Sequence, residues 1–221
     1  NLKMFIKVIL LIRSLYHNLW YLPFLLATKL PIWVISSFYE IKVKKGQIVL
    51  IGNISTAQIE IGGDKVYGIQ LFRNSIIISD WAKLIFKGKA IISWETALRC
   101  DRNSTIEFDD SFYCNANCYI RSTNSIELGK NCLLGWNVTI VTTDGHAIWH
   151  NSTKSIMEAP IKIGNHVWLG AYVKVGKGVC LPDDCVVAQS SLVTKQFNSP
   201  HTLIGGVPAK EISKDITWNI D

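Results

Sequence analysis

The chain is short of charge. Asp, Glu, Lys and Arg make up 18% of its 221 residues, against 48% hydrophobic residues, so a large core is within reach of one domain or of a solenoid with appendages. No uninterrupted run of about 18 apolar residues occurs, which argues against a membrane-spanning helix. No small-residue cleavage site breaks the apolar opening stretch, so a removed signal peptide is not expected. No basic run is interleaved with aromatics, which sets nucleic acid aside as the partner of a chain with net charge +6 and pI near 9.0. That basicity fits an anionic partner instead: a phosphorylated cofactor, a lipid-linked sugar or a membrane face. The six cysteines include no CxxC pair, so neither a zinc site nor a secreted disulfide framework is expected. They read as small core hydrophobes in a reducing cytoplasm.

What is present is a period of six. From Ile163 to Val193 the chain reads IGNHVWLGAYVKVGKGVCLPDDCVVAQSSLV. Ile163, Leu169, Val175, Leu181, Val187 and Val193 recur every sixth place. A small or turn-forming residue follows each of the first five: Gly164, Gly170, Gly176, Pro182 and Ala188. Small or β-branched residues stand four places after the same five, from Val167 to Ser191. Such a period is neither helical nor a simple alternation. It describes short strands separated by bends, repeated as the rungs of a solenoid, in which the aliphatic points inward because only stacking can bury it.

The rhythm extends upstream through Phe86, Ile92 and Leu98, then Phe108, Cys114 and Ile120, then Leu128, Leu134 and Ile140, with residue pairs inserted at corners between blocks. This phasing turns Cys114, Cys118, Cys132 and Cys185 inward and leaves Cys180 outward. Residues 41–200 form the solenoid, whose first coils are irregular and punctuated by Gly46, Gly52, Gly62, Gly63 and Gly68. Residues 1–40 form an apolar arm: Leu2 to Trp20 reads as a helix with Phe5, Ile9, Ile12, Tyr16 and Trp20 on one face, broken by Pro23 and Pro31. The arm either caps the solenoid's open end, the favoured reading, or lies on anionic lipid through its cations. Residues 201–221 are a tail that turns at Gly205, Gly206 and Pro208 and runs back along the wall. Between Ile140 and Ile161 the repeat stops. The inserted loop 141–160 holds Asp144, His146, Trp149 and His150, and a long excursion of this kind inside a compact domain draws attention as the place for chemistry.

The hexads with VWLG, the loop DGHAI and the tail GGVPAK resemble the left-handed β-helix acyltransferases of the hexapeptide-repeat superfamily, in particular the bacterial branch that O-acetylates sugars and exported polysaccharides. The resemblance covers residues 84–213. It implies an all-β, left-handed parallel β-helix with a helical arm and a tail, and it implies the hand of the coil, which the period does not.

It also implies a cytoplasmic O-acetyltransferase that uses acetyl-CoA, needs no metal, acts on a carbohydrate acceptor by direct transfer, and assembles as a homotrimer with each site between neighbouring chains. His146 takes the position of the general base. Asp144, or a backbone carbonyl in its place, steadies the imidazole. Trp168 lies beside the reacting thioester. Small side chains at Gly170, Ala188 and Ser190 let the pantetheine arm approach the main chain, and the Gly170 amide is a candidate oxyanion donor. Lys195 and Lys210 meet the nucleotide phosphates, with Pro208 and Ala209 beside the adenine. Outward arginines, Arg73, Arg99 and Arg121, are candidates to shape acceptor choice. An amine acceptor on an amino sugar or antibiotic, and a non-catalytic membrane-docked scaffold, are the alternatives. Zinc on His146, His150 and His166 is disfavoured, because His166 holds an outward rung position.

Overall fold

The computed structural model describes residues 2–35, 39–62 and 74–219; Gly63, Gly68 and Arg73 lie outside them. The hexads wind into a three-sided parallel β-helix. Successive strands fall in turn on a first, a second and a third face, so that among the described residues the faces are sheets of nine, seven and six strands. The final hexads show the register. Ile163 pairs with Leu181 on the third face, Leu169 with Val187 on the first and Val175 with Val193 on the second, one full coil of 18 residues apart.

Three inward columns result. Phe86, Phe108, Leu128, Ile163 and Leu181 stack in one. Ile92, Cys114, Leu134, Leu169 and Val187 stack in the second. Leu98, Ile120, Ile140, Val175 and Val193 stack in the third. None of the fifteen is more than 2% exposed. Cys114, Cys118, Cys132 and Cys185 are buried as their phase demands, and Cys180 is half-buried.

The earlier coils are longer, and their extra residue pairs lie within strands rather than at corners. The strand Ala97–Cys100 buries both Leu98 and Cys100, and Thr105–Phe108 buries both Ile106 and Phe108. A pair preserves the inward phase, whereas a single added residue would turn every following side chain outward.

The arm caps the coil. Helix α1 (Leu2–Tyr21) lies against the strand Ile32–Val34, the free edge of the first face. The Asn18 carboxamide donates to the Ile32 carbonyl (2.7 Å) and accepts from its amide (3.1 Å), while the Ser14 hydroxyl accepts from the Val34 amide (3.2 Å). Edge groups that a further rung would pair are thereby satisfied by side chains. A short helix α2 (Phe24–Ala27) leads from α1 to that strand. The solenoid therefore begins at Ile32, inside the segment expected to be arm, because Ile32 and Val34 already pair in register with Ile59 and Ile61. At the other end Leu203–Gly206 and Ala209–Ser213 form an antiparallel hairpin that continues the first face into the tail.

Candidate functional site

The corner that follows the first face is almost bare of side chains. One place after the inward column Cys114, Leu134, Leu169, Val187 and Ile204, the coils carry Asn115, Gly135, Gly170, Ala188 and Gly205. Stacking imposes this. A Cβ on Gly135 would lie 2.6 Å from the Ala171 amide nitrogen, and one on Gly170 would lie 2.7 Å from that of Gln189. Along this seam runs a groove of about 540 Å³. Leu133, Trp168 and Val186 form one wall and Trp136, Ala171 and Gln189 the other, with Asn115 at one end. Trp168 is 38% and Trp136 48% exposed. Two half-exposed indoles on one slot are the kind of apolar surface that marks binding.

Of the expected cofactor contacts, the groove gathers Trp168, Gly170 and Ala188. Their main-chain N–H groups are not free, however. Gly170 donates to the Val187 carbonyl (2.8 Å), Ala188 to Ile204 (2.8 Å) and Ser190 to Ala171 (2.8 Å). The Gly170 amide is thus a rung hydrogen bond rather than an oxyanion donor, since parallel coils consume the amides that face along the axis. Ser190 is an exposed corner residue in the left-handed region (φ 59°), outside the groove lining. Lys195 is exposed outside the lining as well, its ammonium 5.3 Å over the Phe197 ring. Lys210 pairs in register with Gly205, the last member of the seam column, so it and the exposed Pro208 stand where the seam ends.

The loop 141–160 is not loose. Asp144 and Ala159 donate backbone bonds to Met157 and Thr142 (3.1 and 3.0 Å), and Trp149–His150 pairs antiparallel with Thr153–Lys154, making a projecting hairpin. Ile148, Trp149 and Ile156 are 66%, 65% and 76% exposed on it. His146 is exposed, and among the described residues nothing hydrogen-bonds its imidazole. Asp144 does not steady it: its carboxylate takes the Lys177 ammonium. The hairpin leaves after the second face and returns to the third, whereas the groove lies at the corner between the first and second. Within one chain, therefore, His146 does not line the groove.

His166 is a structural pin. Its Nδ1 lies 2.8 Å from an Asp184 carboxylate oxygen, its ring stacks on Trp218 (4.2 Å between centroids), and its carbonyl accepts from the Trp218 indole (2.9 Å). This anchors the tail beside Trp168, whose ring centroid is 5.8 Å from that of Trp218. Among the described residues no three His, Cys, Asp or Glu side chains converge as metal ligands would. Arg99 and Arg121 stack in register on the second face, and both bind Asp101 (2.7 and 2.8 Å), so their charge is already partnered.

Sequence reasoning did not single out Asn115, Trp136, Gln189 or Trp218. For Trp136 and Gln189 a signal existed. Trp136, Ala171 and Gln189 share the place two after the inward aliphatic in successive coils, and reading outward columns would have found them.

Residues 116–142 and 160–195 match the family described as hexapeptide repeat of succinyl-transferase, and the gap between the two blocks is the hairpin loop. The chain is 38% identical over 82 residues to a galactoside O-acetyltransferase of Escherichia coli (strain K12), spanning 36% of this chain and 39% of that one. It is 44% identical over 52 residues to a chloramphenicol acetyltransferase of Morganella morganii, spanning 24% of each. The matches thus span about two fifths or less of these curated relatives. Among solved structures, the polySia-specific acetyltransferase NeuO superposes with a TM-score of 0.48 at 20% identity, over 86% of this chain and 90% of that one.

Proposed function

We propose that this hexapeptide-repeat chain, which shares its rungs with the acetyltransferases it matches, moves an acetyl group from acetyl-CoA to a hydroxyl of a sugar or exported-polysaccharide precursor. The observation that carries this reading is the seam at Gly135, Gly170 and Ala188. It is a slot stripped of side chains over successive rungs, walled by Trp168 and Trp136, and shaped for a thin amide-bearing chain such as pantetheine. The carboxamides of Asn115 and Gln189 offer the arm hydrogen bonds in place of the committed backbone amides. Lys210 and Pro208, at the seam's end, receive the nucleotide, and Lys195 adds positive charge nearby in sequence.

A sugar hydroxyl is a weak nucleophile at neutral pH and needs a base that takes its proton as the new bond forms. His146 is that base in our reading. The hydroxyl oxygen attacks the thioester carbonyl and its proton passes to His146. The tetrahedral oxyanion collapses, the C–S bond breaks, and the CoA thiolate leaves and takes up the proton. No enzyme-bound acetyl group forms.

Because His146 does not line its own chain's groove, the site in this reading is completed between copies, as in a homotrimer. The exposed Ile148, Trp149 and Ile156 are the surface by which the hairpin would seat against a neighbour. Six free thiols, five of them buried, fit a cytoplasmic setting, and α1 adds a peripheral membrane contact.

The test is incubation with acetyl-CoA and a panel of cell-surface glycans, read by mass spectrometry for the gain of one acetyl group. Failure of the wild type to bind CoA by calorimetry would overturn the reading, and preferential transfer to an amino-sugar analogue would overturn the hydroxyl acceptor. Mixing His146→Ala with a groove-filling Ala171→Trp variant should restore activity if each site draws on two chains, and no recovery would refute the shared site.

A further inference from the structure

Helix α1 is built inside out. Its buried side carries Ser14, His17, Asn18 and Tyr21, of which Ser14 and Asn18 bond the edge of the first coil. Its open side carries Phe5, Ile9, Ile12, Tyr16 and Trp20, of which Phe5, Ile12 and Trp20 are 62%, 62% and 60% exposed. A helix packed on a soluble domain ordinarily turns its apolar stripe inward.

The direction of the open side follows from the fold. Hydrogen bonds between rungs run along the solenoid axis, so the free edge of Ile32–Val34 faces out along that axis. The helix that satisfies this edge lies across the end of the prism, and its far side points away from the coils. A copy packed alongside would meet the prism's faces and leave this end bare.

Charge narrows the occupant. Residues 2–39 contain no Asp or Glu, while Lys7 and Lys29 are exposed. A hollow lined by Leu19, Trp20 and Val43 is edged by Lys44 and Lys45, and the adjoining cleft carries Trp81, 78% exposed. Lys44 pairs with Asp80; Lys45 is exposed. Apolar side chains, aromatic rings and an excess of cations, with Asp80 the acid among these lining residues and already paired with Lys44, match the boundary of an anionic bilayer. Among the described residues no helix is long and apolar enough to cross a membrane.

We infer that α1 docks the chain end-on to an anionic lipid surface, with Phe5, Ile12, Tyr16 and Trp20 at the acyl boundary and Lys7, Lys29 and Lys45 against headgroup phosphates. This deepens the peripheral contact proposed above and is independent of acetyl transfer, since the test reads binding alone.

The full chain is sedimented with vesicles of phosphatidylcholine alone and of phosphatidylcholine containing about one quarter phosphatidylglycerol. Binding should be about tenfold or more stronger with the anionic vesicles and should weaken in about 0.5 M salt. The double variant Phe5→Glu, Ile12→Glu should lose about tenfold or more of that binding while its melting and circular dichroism stay unchanged, because both residues face solvent in the folded chain. Lys7→Glu with Lys29→Glu should erase the preference for anionic vesicles. Absence of binding to anionic vesicles, equal binding by the Phe5/Ile12 variant, or equal binding to neutral vesicles overturns the inference. So does a doubling of mass in solution that the variant abolishes without any vesicle binding, since the face would then belong to a second copy.

Discussion

Replacing Gly170 by alanine separates two jobs open to the residue, spacing the rungs and admitting a ligand. A Cβ there would lie 2.7 Å from the Gln189 nitrogen and 2.9 Å from the Val187 carbonyl oxygen, both backbone atoms of the next coil. Neither can swing aside, so the rungs must separate locally. Separation strains the bond from the Gly170 amide to Val187 (2.8 Å), worth about 1 kcal/mol. It also forces a methyl group into a filled space, costing about 1–3 kcal/mol. Alanine returns about 0.4–1 kcal/mol by restricting the unfolded chain. The net loss is about 1–3.5 kcal/mol, or a fall in melting temperature of about 2–14 °C at this chain length. The contrast is Ala171→Trp, on the groove wall and partly exposed, which should abolish CoA binding and leave the melt unchanged. Calorimetry and thermal denaturation of both variants decide the matter. If Gly170→Ala melts like the wild type yet loses CoA affinity, the glycine serves the ligand and the stacking argument is wrong.

If His146 is the base that meets the acceptor, as proposed, His146→Ala should lower kcat by about 10²–10⁴-fold while CoA affinity stays within about twofold; comparing turnover with calorimetric Kd checks it. The capping helix should loosen in acid. Burial, helped by the nearby Arg13, lowers the His17 pKa from 6.5 to about 4, so the unfolded chain binds the extra proton between those values. This contribution, up to about 3 kcal/mol, is complete above pH 6.5 and is lost as pH falls toward 4. Melts across that range should show the decline, and His17→Gln should flatten it. Of the six thiols, only half-buried Cys180 should react promptly with a thiol reagent in the folded protein, burial having pushed Cys100 and Cys132 up to about 12. Mass mapping of the labelled cysteine checks that.

The solenoid was legible because its period is its structure: an inward aliphatic every six residues leaves one way to bury all of them. The columns predicted from Phe86 onward stack as read, and the cysteine phases hold. What escaped depends on relations between coils. The inserted pairs could not be placed from periodicity, since a pair in a strand and a pair at a corner leave the same spacing. The hydrogen bonds of the Gly170, Ala188 and Ser190 amides are not legible in sequence, because a small residue permits close approach whether or not its amide is already spent on a neighbouring rung. The resemblance sets Asp144, two residues before His146, beside the imidazole, yet Lys177, 33 residues on, claims its carboxylate. Trp218 had no periodic signal at all, because it acts by folding back onto His166 across 52 residues.

A parallel β-helix makes its ends and its sides unlike. Along the axis a terminal rung presents unpaired amides and carbonyls, and on the first face these are met by Asn18 and Ser14 of α1 at one end and by the antiparallel strand Ala209–Ser213 at the other. Across the axis the backbone is already satisfied, and side chains alone decide what binds. The bare seam runs up a side, and the four rungs from Asn115 to Ala188 cover about 14 Å at the usual strand spacing. The hairpin with His146 leaves from a different corner. Contact along the axis is therefore available to a surface, and contact across it to a cofactor and a neighbouring chain, without competition. Substitutions on the open face of α1 should change where the protein sits and leave its turnover on a soluble acceptor unaltered. Those at Trp168 or Ala171 should do the reverse. A Phe5→Glu, Ile12→Glu variant that lost turnover on a soluble acceptor while retaining its fold would show that the two directions are coupled and that this division is mistaken.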